Sequence, residues 1–416
     1  MLNLLLEYRK QMTSPYKSKQ CIDKVRVEKL KKIIQYAKNY VTIYREKYAG
    51  ISVNDIKHVE DIQLLPILKS KELKEREIKD ITSEHADLKN CILLSTSGTS
   101  GVPFKLYINR QEYALRQLTF LTFLSQHGWK PWWKSASLLA EAKIDKETIL
   151  QKLINRRRFY VPVELSFTEQ VDMIFKINPQ FIIAIPPSVQ ALADYVIKNK
   201  IKLGKFKLIV LGGAILTDEI SSRLKKAFGH PGIDYYGTVE TSFLGGDCPK
   251  CELKYLYDPG NIVEILDEED NKVRSGEAGR AIITSFDHYT TPIIRYDIGD
   301  NITIAPSEHQ CKIRYSHYKS IDGRVADILK LKNGKVLHIA HVNRVLANFK
   351  QVQFYQKTDG YIIIKYVARS QQGNQSLLSE LLRSLGLQEY SDLSFEQCDF
   401  IPLEANGKYK IVKKES

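Results

Sequence analysis

No stretch of this chain approaches the roughly 20 consecutive apolar residues that a membrane-spanning helix needs. The apolar start, Leu2 to Leu6 interrupted by Asn3, is too short for a secretory signal, so no membrane partner and a cytoplasmic location are expected. A long basic tail is also missing, although Lys and Arg outnumber Asp and Glu by 62 to 48, a net charge of +14. The excess lies in small clusters, Arg156-Arg157-Arg158, Lys225-Lys226 and Lys413-Lys414. No recognised nucleic-acid motif accompanies them, and anionic small substrates account for such a surface, so no nucleic-acid partner is expected. Cysteine is sparse, six in all, and a cytoplasmic setting keeps it reduced. Clustered cysteines then point to metal rather than to disulfides. Internal repeats and low-complexity tracts are absent. At 416 residues, 43% hydrophobic and 26% charged, the chain is ordinary globular material, too long for one ordinary domain.

The most informative stretch is Leu93 to Pro103, Leu-Leu-Ser-Thr-Ser-Gly-Thr-Ser-Gly-Val-Pro. Ser95, Thr96, Ser97, Gly98, Thr99, Ser100 and Gly101 offer backbone N–H groups and hydroxyls with no bulky side chain in the way. Such a run can curl around a phosphate, because glycines permit the curl and N–H groups supply partial positive charge. A flexible Gly/Ser linker has the same composition. The flanks argue against a linker: Cys91 to Leu94 is an apolar strand-like run, and Phe104 to Ile108 resumes alternation. No Gly-Lys-Ser/Thr closes the loop, so it is not a Walker loop.

Elsewhere, Leu30, Ile33, Ile34, Ala37, Val41 and Tyr44 recur at helical spacing between Lys and Arg, which predicts an amphipathic helix. Lys207 to Leu211 predicts a short buried strand ending in Gly212-Gly213. Thr217 is a plausible N-cap, with Asp218 and Glu219 in the first turn and Ile220, Leu224 and Phe228 on one face. Strands are predicted at Asn261 to Leu266 and Gly279 to Thr284, separated by the polar turn Asp267 to Ser275. Beyond Asp322-Gly323-Arg324 the pattern changes, with strand-like runs at Ala326 to Leu331, Val352 to Tyr355 and Tyr361 to Val367 and a helix at Ser376 to Leu385.

Four further features follow the phosphate loop in order: Gly212-Gly213-Ala214, Tyr236-Gly237-Thr238-Val239-Glu240, Arg295-Tyr296-Asp297-Ile298-Gly299-Asp300 and Asp322-Gly323-Arg324. Asn406-Gly407-Lys408 lies near the C-terminus. Taken in this order the chain resembles the acyl-adenylate-forming superfamily. It is most similar to the phenylacetate–CoA ligase and capsule-biosynthesis branch, a likeness that includes Tyr36-Ala37-Lys38-Asn39-Tyr40, Leu65-Pro66 and Pro186-Pro187-Ser188. The resemblance implies an α/β fold: a large N-terminal adenylation domain of mixed sheets and helices over 1–324, and a small mobile α+β domain over 325–416.

It also implies a reaction, in which a carboxylate attacks the α-phosphorus of ATP to give an acyl-AMP and pyrophosphate. By resemblance, Ser95 to Gly101 hold the β,γ-phosphates and Glu240 supplies a carboxylate to Mg²⁺. Gly212, Gly213, Ala214 and Tyr236 border the adenine, beside Gly237 and Thr238. Asp300 accepts the ribose hydroxyls, Arg324 reaches the nucleotide, and Lys408 meets the α-phosphate, with Lys410 an alternative. These residue types suit those tasks: a hard oxygen for Mg²⁺, a carboxylate for a diol, an ammonium for phosphate. The acyl acceptor implied is CoA, with an amine or a carrier protein as the alternative and adenylyl transfer as a third.

The sequence departs from the pattern at three places. Val102 replaces the loop lysine, Val239 replaces the Thr before the glutamate, and Ala326 stands where a charged hinge is usual. Cys248-x2-Cys251 with His309 and Cys311 makes a four-ligand set suited to structural Zn²⁺, and some members of the branch carry a similar cysteine-rich zinc site. The acid itself is expected to lie among Trp129 to Ala140, Ala184 to Ser188, Gly245 and Gly246. Three neighbouring tryptophans there would suit an aromatic carboxylic acid.

Overall fold

A computed structural model describes residues 2–95, 105–138, 156–162, 165–324, 328–332, 336–338, 346, 349–368, 374–385, 387–388, 390–402 and 411–415. The short strand β1 (Leu68–Lys69) precedes a separate antiparallel hairpin, β2 (Ile92–Ser95) and β3 (Lys105–Ile108). Next come β4 (Ser135–Leu138), β5 (Arg158–Tyr160), β6 (Phe181–Ala184), β7 (Leu208–Gly212) and β8 (Ile233–Thr238), which pair in parallel in the order β5-β4-β6-β7-β8. Strands β9 (Ser242–Asp247), β10 (Lys254–Leu256), β11 (Asn261–Leu266), β12 (Ala278–Ser285), β13 (Tyr296–Ile304) and β14 (His317–Arg324) continue the same twelve-stranded sheet. From β8 onward it runs β9-β10-β14-β13-β12-β11, every pair antiparallel, with β1 parallel to β13.

The sequence explains this change of pairing. Phe181-Ile-Ile-Ala and Leu208-Ile-Val-Leu are apolar at every position and buried at every position, as strands covered on both faces must be. Their cover includes the helices Phe167–Ile177, Pro186–Lys198 and Asp218–Phe228, which share one apolar cluster with β4, β6 and β7. Thr217 caps the last of these helices, its hydroxyl accepting the Ile220 N–H over 3.3 Å, and Gly229 ends it at φ +77°. The predicted N-terminal helix spans Lys19–Tyr40, buries Leu30, Ile33, Ile34 and Ala37, and breaks at Val41 before a short second helix, Thr42–Lys47. Together they build the cluster that underlies β1, β3 and β13.

Beyond β14 lie two smaller sheets. β15 (Ile328–Lys330) pairs with β16 (Val336–His338). β17 (Gln351–Gln356), β18 (Ile362–Val367), β19 (Leu393–Gln397) and β20 (Val412–Lys414) form a four-stranded sheet in the order β19-β18-β17-β20. The helix Asn374–Leu385 packs Leu381 against Phe354, Ile362 and Ile364 in a cluster of its own. Among the described residues no helix is long and apolar enough to cross a membrane.

Candidate active site

Parallel sheets leave their ligand crevice at the carboxyl ends of the strands, and two of the expected features end β7 and β8. Gly212 closes β7, where a Cβ would lie 2.9 Å from the Tyr235 carbonyl of the neighbouring strand. Gly213 has φ +79°, which favours glycine, and a Cβ there would meet nothing within 4 Å, so open space lies in front of it. Gly213 and Ala214 are exposed at this end of the sheet.

Tyr236, Gly237 and Thr238 end β8. A Cβ on Gly237 would come within 2.6 Å of the Ser242 carbonyl, so the turn from β8 into β9 closes tightly only over glycine. The Thr241 N–H donates to Thr238 Oγ1 over 3.1 Å, the two threonine hydroxyls lie 2.9 Å apart, and Ser242 takes φ +66°. Glu240 sits within this turn. Thr238 and Thr241 thus spend their hydroxyls on each other, and Val239 is 37% exposed.

Tyr236 and Asp300 are brought together by the curl of the sheet. Their strands β8 and β13 stand four pairings apart, ~19 Å on a flat sheet. The Tyr236 hydroxyl nevertheless donates to Asp300 Oδ2 over 3.0 Å, and both side chains are buried. Tyr236 packs in one apolar cluster with Leu244, Leu256, Ile302 and Tyr318. Asp300 stands opposite Arg324 in the β13–β14 register, so the backbone of the last motif reaches the same place.

Arg295 of the Arg-Tyr-Asp motif is structural. At φ +49° it turns the chain into β13, and its guanidinium pairs with buried Glu264 at 3.0 Å. Its Nη1 also donates to the carbonyls of Gln63, at 3.1 Å, and Leu65, which ties the Leu65-Pro66 element to this strand.

The phosphate loop is flanked by strands as expected, since Ser95 pairs with Lys105 at the loop end of the β2–β3 hairpin. Thr96, Ser97, Gly98, Thr99, Ser100, Gly101, Val102, Ala326, Lys408 and Lys410 lie outside the described residues, as do the side chains of Ser95 and Arg324. The expected pocket lining is only partly realised. Trp129 and Trp133 pack on a core cluster with Phe123 and Phe243, whereas Trp132 is 63% exposed. Gly245 and Gly246 are packing glycines, since a Cβ on either would lie within 2.5 Å of a neighbouring strand's carbonyl oxygen.

Three buried or part-buried polar residues here belong to no motif. Glu112, Arg116 and His288 meet beneath the β8–β9 turn, where Arg116 donates to the Val239 and Glu240 carbonyls and to His288. Glu112 and Arg116 stand four apart on the helix Arg110–Gln126, a spacing that ordinarily signals an exposed ion pair.

A second cluster departs from the sequence expectation. Cys248 and Cys251 occupy the tight turn between β9 and β10, closed by the Cys248 N–H donating to the Leu253 carbonyl. Cys311 approaches to 3.6 Å between sulfurs. The fourth group is His317 rather than His309: one ligand atom each from Cys248, Cys251, Cys311 and His317 lie within 4.8 Å of one another. The register explains the exchange, because His317 opens β14 directly opposite Tyr255 of β10, next to the cysteine turn. His309 instead lies against the His317 ring, centroids 4.4 Å apart. His317 is buried, its Nε2 lacks a hydrogen-bond partner, and burial pushes its pKa down to about 4. Burial likewise pushes the Cys248 thiol up.

No protein-family model matches the chain. Protein CapK of Staphylococcus aureus is 22% identical over 373 residues, which cover 85% of this chain and 80% of that protein. Among solved structures, 2-hydroxyisobutyryl-CoA ligase in its postadenylation state with 2-HIB-AMP superposes with a TM-score of 0.79 at 15% identity, covering 97% of this chain and 91% of that one. The same ligase in its thioesterification state, with 2-HIB-AMP and CoA, covers the same shares at a TM-score of 0.67. The anthranilate CoA ligase AuaEII with anthranoyl-AMP gives 0.58 at 15% identity, covering 78% of this chain and 66% of that one.

Proposed function

We propose, from the adenylate-forming fold that this chain has, that it activates a carboxylic acid with ATP and passes the acyl group to a thiol, that of CoA. The observation that carries this reading is the Tyr236–Asp300 pair at the carboxyl end of β8, beside the open space at Gly213. A buried carboxylate oriented by a phenol is an acceptor of the kind a ribose diol needs. Gly212, Gly213 and Ala214 would border the adenine.

In the first step a substrate carboxylate oxygen bonds to the α-phosphorus and the bond to the bridging oxygen breaks, releasing pyrophosphate and leaving acyl-AMP. In the second the thiol sulfur bonds to the acyl carbon, its proton is lost and AMP departs. The protein's work is to position the reactants and neutralise charge. Ser95 to Gly101 would hold the β,γ-phosphates, Arg324 the nucleotide and Lys408 the α-phosphate, with 325–416 acting as the moving domain over 1–324. Glu240 would hold Mg²⁺, which would offset charge on the triphosphate.

The Cys248, Cys251, Cys311 and His317 cluster fits Zn²⁺, because three thiols and an imidazole with a nitrogen that has no hydrogen-bond partner among the described residues form a four-donor set. Four protein ligands leave no open position, so the ion's part would be to pin the β9–β10 turn to the start of β14.

ATP–pyrophosphate exchange over a panel of carboxylic acids tests the reading. Exchange with at least one acid is expected, followed by AMP release and a thioester, identified by mass, when CoA is added. An amide, or a thioester on a carrier protein, in place of the acyl-CoA would replace CoA as acceptor, and no exchange with any acid would overturn the reading.

A further inference from the structure

We propose that Arg116 is a positioning residue for the triphosphate site, its guanidinium holding in place the turn that carries Glu240. The inference rests on reading this site as an ATP site.

The helix Arg110–Gln126 is anchored before Arg116 is reached. Asn109 Oδ1 accepts the N–H groups of Gln111 and Glu112, both at 2.9 Å. The buried Glu112 carboxylate accepts in turn from the backbone of Asn109 (2.8 Å), Tyr289 (2.7 Å) and Thr290 (2.8 Å). Among the described residues its hydrogen bonds come from backbone N–H groups, so it fixes the helix start to the 289–290 segment and makes none with Arg116.

One turn later Arg116 reaches the β8–β9 turn. Nη1 donates to the Val239 carbonyl at 2.9 Å, Nη2 to the Glu240 carbonyl at 3.1 Å, and Nε to His288 Nε2 at 3.1 Å. A planar fork that takes two successive carbonyls fixes the peptide between them, which a flexible point charge does not. Because His288 accepts at Nε2, its proton lies on Nδ1 and the ring is neutral, in keeping with a pKa driven well below the usual histidine value by burial and the neighbouring cation. The guanidinium's own pKa falls to about 10 through burial, so it stays charged at neutral pH.

The turn needs this support. Val239 brings no hydroxyl, Thr238 and Thr241 bond each other, and Ser242 occupies the left-handed region. The Glu240 carboxylate hangs from a peptide whose orientation Arg116 sets.

The test is ATP binding by calorimetry, with Mg²⁺ and separately with EDTA, for the wild type, Arg116→Met and Arg116→Lys, together with hydrogen exchange across residues 236–243. Loss of charged hydrogen bonds of this kind predicts about tenfold weaker MgATP binding for Arg116→Met. ATP binding in EDTA should change by less than about twofold, with faster exchange confined to 236–243 and Arg116→Lys in between. Unchanged MgATP affinity and exchange, or equal losses with and without Mg²⁺ alongside a general drop in melting temperature, would overturn the positioning role. If Arg116→Met does not fold, Arg116→Lys carries the same comparison. A wild type that binds no ATP in either condition overturns the ATP-site reading and the inference with it, whereas a wild type that binds and a variant that matches it overturns the inference alone.

Discussion

The Tyr236 hydroxyl donates to Asp300 Oδ2 over 3.0 Å, between strands that have three others between them in the sheet. This bond orients the carboxylate that is proposed to take the ribose. Tyr236→Phe keeps the ring packed against Tyr318 and removes only the donor. The expected result is a stability loss of about 1 kcal/mol in urea titration and an ATP KM about fivefold higher in pyrophosphate exchange. Asp300→Asn should raise the KM further. An unchanged KM in both variants would remove the pair from nucleotide binding.

The cysteine turn predicts a metal content that distinguishes two histidines. Protein purified without added zinc should carry about one equivalent by elemental analysis. His317→Gln should lose most of it and lower the melting temperature, while His309→Gln should keep it, because only His317 shares the 4.8 Å cluster with the three sulfurs. Wild-type protein with less than about 0.2 equivalents would show that the cluster does not hold zinc.

Much of this was legible in the sequence, and the exceptions have physical reasons. The Thr217 cap, the buried strand at 208–211 and the helix at 376–385 are local signals, and all lie where the pattern puts them. Gly212, Gly237 and Asp300 stand out by motif order, and each has a structural reason for its residue type, close backbone approach for the glycines and burial for the carboxylate. His317 was missed because nothing in its spacing from Cys311 reveals that β14 pairs with β10. Arg116 was missed for a related reason: its acceptors are backbone carbonyls more than 120 residues away, which leave no trace in residue type. For the tryptophans, clustering in sequence does not fix which face each presents: Trp129 and Trp133 pack inward and Trp132 faces solvent.

Arg295 and Glu264 form a buried ion pair that also ties down the 63–65 segment. Removing one partner strands the other charge away from water, which costs about 3–5 kcal/mol. Arg295→Leu should therefore lower the urea midpoint sharply and lower the soluble yield. Lys79→Ala, which breaks an exposed pair with Glu77, should stay within about 0.5 kcal/mol of wild type. Similar small effects for both would mean that the 295–264 pair contributes little.

Acid should destabilise this protein before its carboxylates titrate. Burial lowers the pKa of His127, His230 and His288 below the usual histidine value. A folded-state pKa below the unfolded value of about 6.5 means that the unfolded chain binds more protons between the two. The stabilisation is thus complete above pH 6.5 and is lost as pH falls, by about 1.4 kcal/mol per group for each unit of depression. Asp234 works in the opposite sense at lower pH, because burial raises its carboxyl. The urea midpoint should therefore be level from pH 8 to 7 and decline between about pH 6.5 and 5.5. His127→Gln should reduce that slope, since it removes one of the protons taken up on unfolding and keeps a side-chain donor near the Phe123 carbonyl, which His127 Nδ1 meets at 3.0 Å. A wild-type midpoint that stays level down to pH 5.5 would show that these histidines titrate alike in the folded and unfolded chains.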